Sequence, residues 1–210
     1  MKTLPPDFYA RPVLEVARDL IGCTVEHGDT AGVIVETEAY HDSEPACHAF
    51  TGLTPRTRTL FGEPGRAYVY RSYGVHALLN AVCEREGVGA AVLIRALAPT
   101  AGIEAMSARR GALGGRAPRR QDLCSGPGKL TQALAISLEE NGSCLTDGPI
   151  LIRPRGREEA EPAVVVGTRV GITRAVELPW RFCVAGSPHV SRPRPVAAPG
   201  LAAEAAAARG

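Results

Sequence analysis

Apolar residues in this chain recur mainly at every second position, in short runs broken by glycine, proline and polar turns. That period belongs to strands whose neighbouring side chains alternate between two faces. Strands are predicted over residues 23–26, 33–40, 90–97, 150–152, 164–166, 170–172 and 182–184, with two more strand-like runs within 67–80 that meet near 72–74. Residues 72–74, with Gly74 at the bend, read as a hairpin turn. Helical spacing appears in three places. Val13, Leu14, Ala17, Leu20 and Ile21 form a stripe entered after Pro12, residues 103–110 form a second helix, and Ser125-Gly126-Pro127-Gly128-Lys129 opens a third running through Ile136. The fold class is therefore α+β, with one mixed domain over residues 1–192 around a largely antiparallel sheet and flanking helices. Residues 193–210 are Pro- and Ala-rich and read as a tail, with a helix expected at 201–209.

The run Val33-Ile34-Val35-Glu36-Thr37-Glu38-Ala39-Tyr40 is unusual within this pattern. Strict alternation sends Ile34, Glu36, Glu38 and Tyr40 to one face, and Val33, Val35, Thr37 and Ala39 to the other. Two carboxylates beside an aromatic ring are expensive to bury without a use. A solvated acidic edge strand explains the pattern as well as a functional face does. In the run AAVLIRAL, Arg95 is the lone charge in an apolar strand and needs an anionic partner or a route to solvent, and Glu38 is the obvious partner.

Composition narrows the choice only a little. The hydrophobic fraction of 45% suits a folded domain, and the net charge of +2 does not by itself imply a polyanion. Lys2 and Lys129 are the only lysines, so the cationic side chains are nearly all arginine, which makes planar contacts to phosphate. GC-rich coding produces the same Arg, Ala and Gly enrichment. Six scattered cysteines, no CxxC pair and no hydrophobic leader point to reduced thiols and a cytoplasmic location, with no membrane span.

Candidate chemistry clusters in the first half of the chain. Four of the five tyrosines lie between Tyr40 and Tyr73. Tyr68 and Tyr70 share a strand face, whereas Tyr73 sits at the turn, either packed beneath a loop or held out as a wedge between bases. Thr54, Arg56, Thr57 and Arg58 offer hydroxyls and guanidiniums to phosphates. Arg109, Arg110, Arg116, Arg119 and Arg120 make the densest positive patch, as a phosphate-contacting loop or a solvated insertion. The Gly-rich turn before Lys129 can hold a phosphate, but Leu123 and Leu130 break the P-loop pattern. His41, Asp42, Glu44, Cys47 and His48 match no strong metal-ligand spacing, and no metal is expected.

In order along the chain stand VETEAY, a following His, TPRTRTLFGEPGRAYVYRSYG, LLN, VLIRALAP, GPGKL, LTDG, VGITRAVELPWRF and VSR. This succession, from about Ala17 to Arg192, resembles the alkyladenine (3-methyladenine, or methylpurine) DNA glycosylase family. The resemblance implies an open, barrel-like curvature of the sheet. It implies that a damaged purine is flipped from duplex DNA into an aromatic pocket, where water cleaves the N-glycosidic bond. Glu38 is then the general base, with Arg95 beside the catalytic water. Tyr40 and His48 are expected on one side of the base and Tyr70 on the other, with Asn80 and Leu93 lining the pocket and Tyr73 filling the gap in the stack. Arg56, Arg58 and Lys129 are expected on the DNA backbone.

Three departures from the family pattern stand out. The 40–48 loop is about one residue short, Ser125 replaces a frequent Asn, and Cys183 replaces a frequent aromatic. Lys129 is the only lysine beyond the N-terminus and sits in a phosphate-type turn, so a monofunctional enzyme without lyase activity is expected. Its partner is double-stranded DNA holding a damaged purine, its state a monomer, its place the bacterial cytoplasm with the nucleoid. No metal or organic cofactor is implied. Competing readings are a damage-sensing DNA-binding module without catalysis and a nucleoside hydrolase. Neither gives a use to all of Glu38, Tyr73 and the arginine-rich loops.

Overall fold

Two long strands carry the architecture of this chain, whose computed structural model describes residues 2–72, 74–111, 118–156 and 160–195. They are β2 (Thr30–His41) and β5 (Ala90–Ala101), paired antiparallel along their length. The other strands are β1 (Thr24–His27), β3 (Ala67–Ser72), β4 (His76–Val82), β6 (Ile150–Arg153), β7 (Val164–Gly167) and β8 (Arg181–Val184). The sheet runs β3-β4-β5-β2-β1-β6, every pairing antiparallel. β8 also pairs with β2, and β7 with β8. The second edge of β2 is thus divided, with β1 taking Thr30 to Val33 and β8 taking Glu36 to Glu38. This fork curls the sheet into an open half-barrel with flanking helices, an α+β fold.

The helices are α1 (Pro6–Tyr9), α2 (Val13–Asp19), α3 (Ile103–Gly111) and α4 (Pro127–Leu134). Pro12 caps α2 with the φ of −50° that a proline ring favours. Val13, Val16, Ala17 and Leu20 form its buried stripe, while Leu14, placed on that stripe by the sequence reading, is 38% exposed. One core joins this stripe to Met106 of α3, to Leu130, Ala133 and Leu134 of α4, and to Ile34, Leu79, Ile94 and Leu97 of the sheet. Each fully buried Leu or Ile contributes about 1.5–3 kcal/mol. All this apolar packing lies on one face of the sheet. The opposite face is free to carry polar groups.

Strict alternation fails where β2 and β5 meet. Register shifts flank Glu36, which pairs with Ala96 while Ile34 pairs with Leu97 and Thr37 with Ile94. Ile34 and Ala39 both reach the main core, and the Thr37 hydroxyl donates to the Ala17 carbonyl. Val35 instead packs with Ala96, Cys183 and Val190 on the face that holds Glu36. A bulge therefore reverses the predicted faces of Ile34 and Val35, because an inserted residue shifts the pleat by one.

Residues 170–172, predicted as a strand, form a bend at 170–171 and irregular chain at 172, without ladder pairing. The reason is local. Gly171 has φ +79°, and the Val170 N–H is given to a side chain, not to a neighbouring strand. Residues 196–210, which include the predicted 201–209 helix, lie outside the described residues. Among the described residues no helix is long and apolar enough to cross a membrane.

Candidate active site

Beyond the bulge, β2 places Glu36, Glu38 and Tyr40 on the face away from the core. The sheet register then sets one row across five strands. Tyr68 of β3 stands opposite Asn80 of β4, Asn80 opposite Leu93 of β5, Leu93 opposite Glu38 of β2, and Glu38 opposite Arg181 of β8. Directly opposed residues share a face, so this row forms a floor of fixed spacing. Arg95, two residues beyond Leu93, joins the same face.

Glu38 is completely buried and none of its oxygens is idle. Oε2 accepts from the Tyr40 hydroxyl at 2.8 Å and from Arg95 Nη1 at 3.1 Å, and Oε1 accepts from the Val170 N–H at 2.7 Å. Arg95 also donates from Nε to Glu36 Oε1 at 2.8 Å. Glu36 accepts further bonds from Arg181 Nε (2.8 Å), the Ser191 hydroxyl (2.8 Å) and the Ser191 N–H (2.7 Å). Two carboxylates and two guanidiniums thus balance inside the protein. Burial alone would raise both carboxyls. For Glu36 the charges of Arg95 and Arg181, with the Ser191 N–H, overcome it and leave the group below its ordinary value. For Glu38 burial prevails over Arg95, the Val170 N–H and Tyr40, and the carboxyl lies above its ordinary value.

Above this floor opens a cavity of about 800 Å³. Tyr40, His48, Tyr70, Asn80, Leu93 and Arg95 all line it, although they come from four strands and a loop. Glu38 lies behind Tyr40 and Arg95 and is not itself a wall. The Tyr68 and Tyr70 rings stack at 5.3 Å. His48 meets Tyr70 edge-on at 4.6 Å, and its Nδ1 is 3.2 Å from the Tyr68 hydroxyl. His48 thus touches Tyr70, and both line the cavity together with Tyr40. The short turn at His48–Thr51 after the 40–48 loop carries it there. Burial first, and the Arg56 charge second, hold its imidazole below the ordinary histidine value. Burial, with Tyr68 and Glu38 nearby, pushes the Tyr70 hydroxyl up to about 12. Asn80 donates from Nδ2 to the Tyr68 carbonyl at 3.0 Å, which fixes its amide at the floor.

The backbone-contact candidates divide. Arg56 and Lys129 line the cavity, whereas Arg58 is exposed at the start of the turn Arg58–Phe61 and does not. The hydroxyls of Thr54 and Thr57 bond each other at 2.9 Å, and Thr57 also donates to the Gly52 carbonyl. They brace the loop and do not face outward together. Tyr73 and Arg116 lie outside the described residues. Of the predicted positive patch, Arg109 bonds the Ala133 carbonyl, Arg119 bonds Asp122 and Arg120 bonds the Pro99 carbonyl. Arg110 bonds Gln132 and reaches the cavity. The cavity's charged walls are Arg56, Arg71, Arg95, Arg110, Lys129 and Arg174, with no carboxylate among the described lining residues. Such a one-sided field favours an anion.

Sequence reading missed the supports of this site. Arg181 and Ser191 anchor Glu36, Val170 supplies an N–H to Glu38, and the Glu44–Arg169 ion pair holds the loop that bears Val170. The segments of Val170, Arg181 and Ser191, VGITRAVELPWRF and VSR, stood out in the sequence, but nothing local in them names a partner more than a hundred residues away.

The sequence profile of the family described as Methylpurine-DNA glycosylase (MPG) matches residues 7–188. A protein of Rhodopseudomonas palustris (strain ATCC BAA-98 / CGA009) is 51% identical over 188 residues, covering 90% of this chain and 87% of its own. One from Bradyrhizobium diazoefficiens is 53% identical over 197 residues, covering 92% and 93%. One from Methanoculleus marisnigri is 50% identical over 195 residues, covering 90% and 99%. All three carry the name "Putative 3-methyladenine DNA glycosylase". With the profile spanning most of its length, this chain belongs to the methylpurine-DNA glycosylase family.

Proposed function

We propose that this protein is a monofunctional DNA glycosylase that flips alkylated or deaminated purines out of duplex DNA and hydrolyses their N-glycosidic bond. The observation that carries the reading is the buried Glu38 carboxylate, paired with Arg95 directly behind a cavity walled by Tyr40, Tyr70 and His48. Glu38 is the general base: Oε1, with the Val170 N–H as its one partner among the described residues, keeps a lone pair for a water. Arg95 offsets part of the cost that burial places on the ionised carboxylate, and its negative charge stabilises the oxocarbenium-like sugar as the base departs. Alkylation at N3 or N7 makes the purine cationic, and the π faces of Tyr40 and Tyr70 attract it. A neutral His48 adds aromatic surface without repelling that charge.

DNA is favoured over a free nucleoside by Arg56, Arg71, Arg110, Lys129 and Arg174 around the cavity, which suit a phosphate backbone, Arg95 being committed to Glu36 and Glu38. Tyr73, between β3 and β4 in the sequence, is assigned as the wedge that fills the vacated stack. Arg56, Arg58 and Lys129 are assigned to phosphates.

Single-turnover excision from duplexes carrying 3-methyladenine, 7-methylguanine, hypoxanthine or ethenoadenine tests this reading. Glu38→Gln should bind the damaged duplex and lose excision by about 10²- to 10⁴-fold. Retained excision by that variant would remove Glu38 as the base. Borohydride should trap no covalent enzyme–DNA adduct, and an adduct would refute the monofunctional assignment.

A further inference from the structure

Arg169 lies beside the site without lining its cavity, and its side chain is completely buried. Its guanidinium donates to both oxygens of Glu44, from Nη1 at 2.6 Å and from Nη2 at 3.0 Å. Nη1 also donates to the Ala39 carbonyl at 3.0 Å, and Nη2 to the Ala175 carbonyl at 3.4 Å. Its Nε has no hydrogen-bond partner among the described residues, so the Nη groups and two rings hold the group in place. Those rings are Tyr40, with its centroid 4.7 Å from the guanidinium carbon, and Trp180, at 5.2 Å.

Two consequences follow for the chemistry next door. Tyr40 has one face covered by a cation, which leaves only its other face for a base. Its hydroxyl is bonded to Glu38, so the ring is fixed both by its face and by its tip. The residue after Arg169 is Val170, whose N–H holds Glu38 Oε1. One guanidinium therefore sets the position of the stacking ring and of the donor that orients the carboxylate.

We infer that Arg169 is a positioning residue for catalysis, clamping Tyr40 and the Val170 N–H so that the stacked base and the Glu38 carboxylate stay aligned. This rests on the assignment of Glu38 as general base. A misplacement of about 1 Å can lower a rate on the order of a hundredfold. A lysine at position 169 keeps the charge but loses the fork to Glu44 and the flat contact with the rings.

The test compares wild type, Arg169→Lys, Glu44→Gln and Glu38→Gln in single-turnover excision across pH, with rates normalised to the fraction of protein that binds lesion duplex. Arg169→Lys and Glu44→Gln should bind the duplex with near wild-type affinity. Their plateau rates should fall about ten- to a hundredfold. Their acid limb should also move to higher pH, because a carboxylate that loses an N–H donor is harder to ionise. Glu38 is faced by Arg95 from β5, by Tyr40 and Glu36 from its own strand, and through Glu36 by Arg181 from β8, and neither variant replaces any of these residues. A loss of packing alone would reduce the binding-competent fraction without moving the limb. Unchanged plateau and limb in both variants would overturn the inference. If Arg169→Lys does not fold, Glu44→Gln decides alone. Retained excision by Glu38→Gln would remove the base assignment, whereas its loss beside unchanged Arg169 and Glu44 variants would overturn only the clamp.

Discussion

Glu36 and Glu38 stand one pleat apart on the same strand and share a single guanidinium, yet their carboxyls shift in opposite directions. Arg95 donates from Nε to Glu36 and from Nη1 to Glu38. What separates them is the rest of each shell. Glu36 has a second guanidinium, Arg181, and two donors from Ser191. Glu38 has only neutral partners besides Arg95, and burial prevails. One carboxylate is a structural anion, and the other is left with basicity to use.

Replacing Glu36 by Gln should therefore damage the fold more than its distance from the cavity suggests. Arg95 would then keep only Glu38 as a carboxylate partner and Arg181 only the Ser191 and Pro193 carbonyls, and breaking a buried ion network costs about 3–5 kcal/mol. Urea titration should show the midpoint falling accordingly, and a change below about 1 kcal/mol, the scale of an exposed pair, would show that the network carries little stability.

The pH dependence of excision follows from the raised Glu38 carboxyl. A general base works ionised, so the single-turnover rate should rise with pH through a limb above the ordinary glutamate value of 4.5. Stability moves with opposite signs at the two residues. The depressed Glu36 contributes stability above 4.5, lost as pH falls through its lowered value. The raised Glu38 contributes stability that is complete below 4.5 and lost as pH rises through its folded value. In Glu38→Gln the second contribution should vanish from the pH–stability curve while the first remains.

Gly89 supports the turn that carries His48. A Cβ there would overlap the Ala49 methyl and lie 3.0 Å from the Phe61 ring. Gly89→Ala should push the His48–Thr51 turn outward, costing about 1–3 kcal/mol as overpacking does. Thermal melting would register that loss. Lesion binding should weaken alongside it as His48 leaves Tyr70.

Tyr70 offers a direct test of stacking. Its ring lies against Tyr68 and His48, so Tyr70→Ala should lose about 1–3 kcal/mol of affinity for a flipped base. Tyr70→Phe should stay near wild type, because the ring supplies the contact. Fluorescence titration with an ethenoadenine duplex distinguishes the two, and equal losses would assign the role to the hydroxyl.

Much of the site was legible because its residues obey local rules. Tyr68 and Tyr70 share a face by simple alternation, and Glu38 with Tyr40 does so beyond the bulge. Gly74, at φ +71°, makes the bend its lack of a side chain allows. Arg95 needed an anion, and the structure supplies two where the sequence reading named one. The run Val170-Gly171-Ile172 misled because apolar composition imitates a strand. Its backbone is committed to Glu38, a partner no window of sequence contains.

Away from the β2 bulge and residues 170–172, alternation and turn residues settled by themselves which side chains share a strand face and where the chain reverses, since each depends on neighbours a few positions away. Only the folded chain decided that Ile34 and Val35 exchange faces, that His48 joins Tyr70, that Arg169 lies over Tyr40, and that Glu36 and Glu38 differ in acidity. Each of these is set by groups far apart in sequence and by how much water the packing removes. Burial and long-range pairing are properties of the whole molecule, and a carboxylate becomes a base or an anchor only when they are in place.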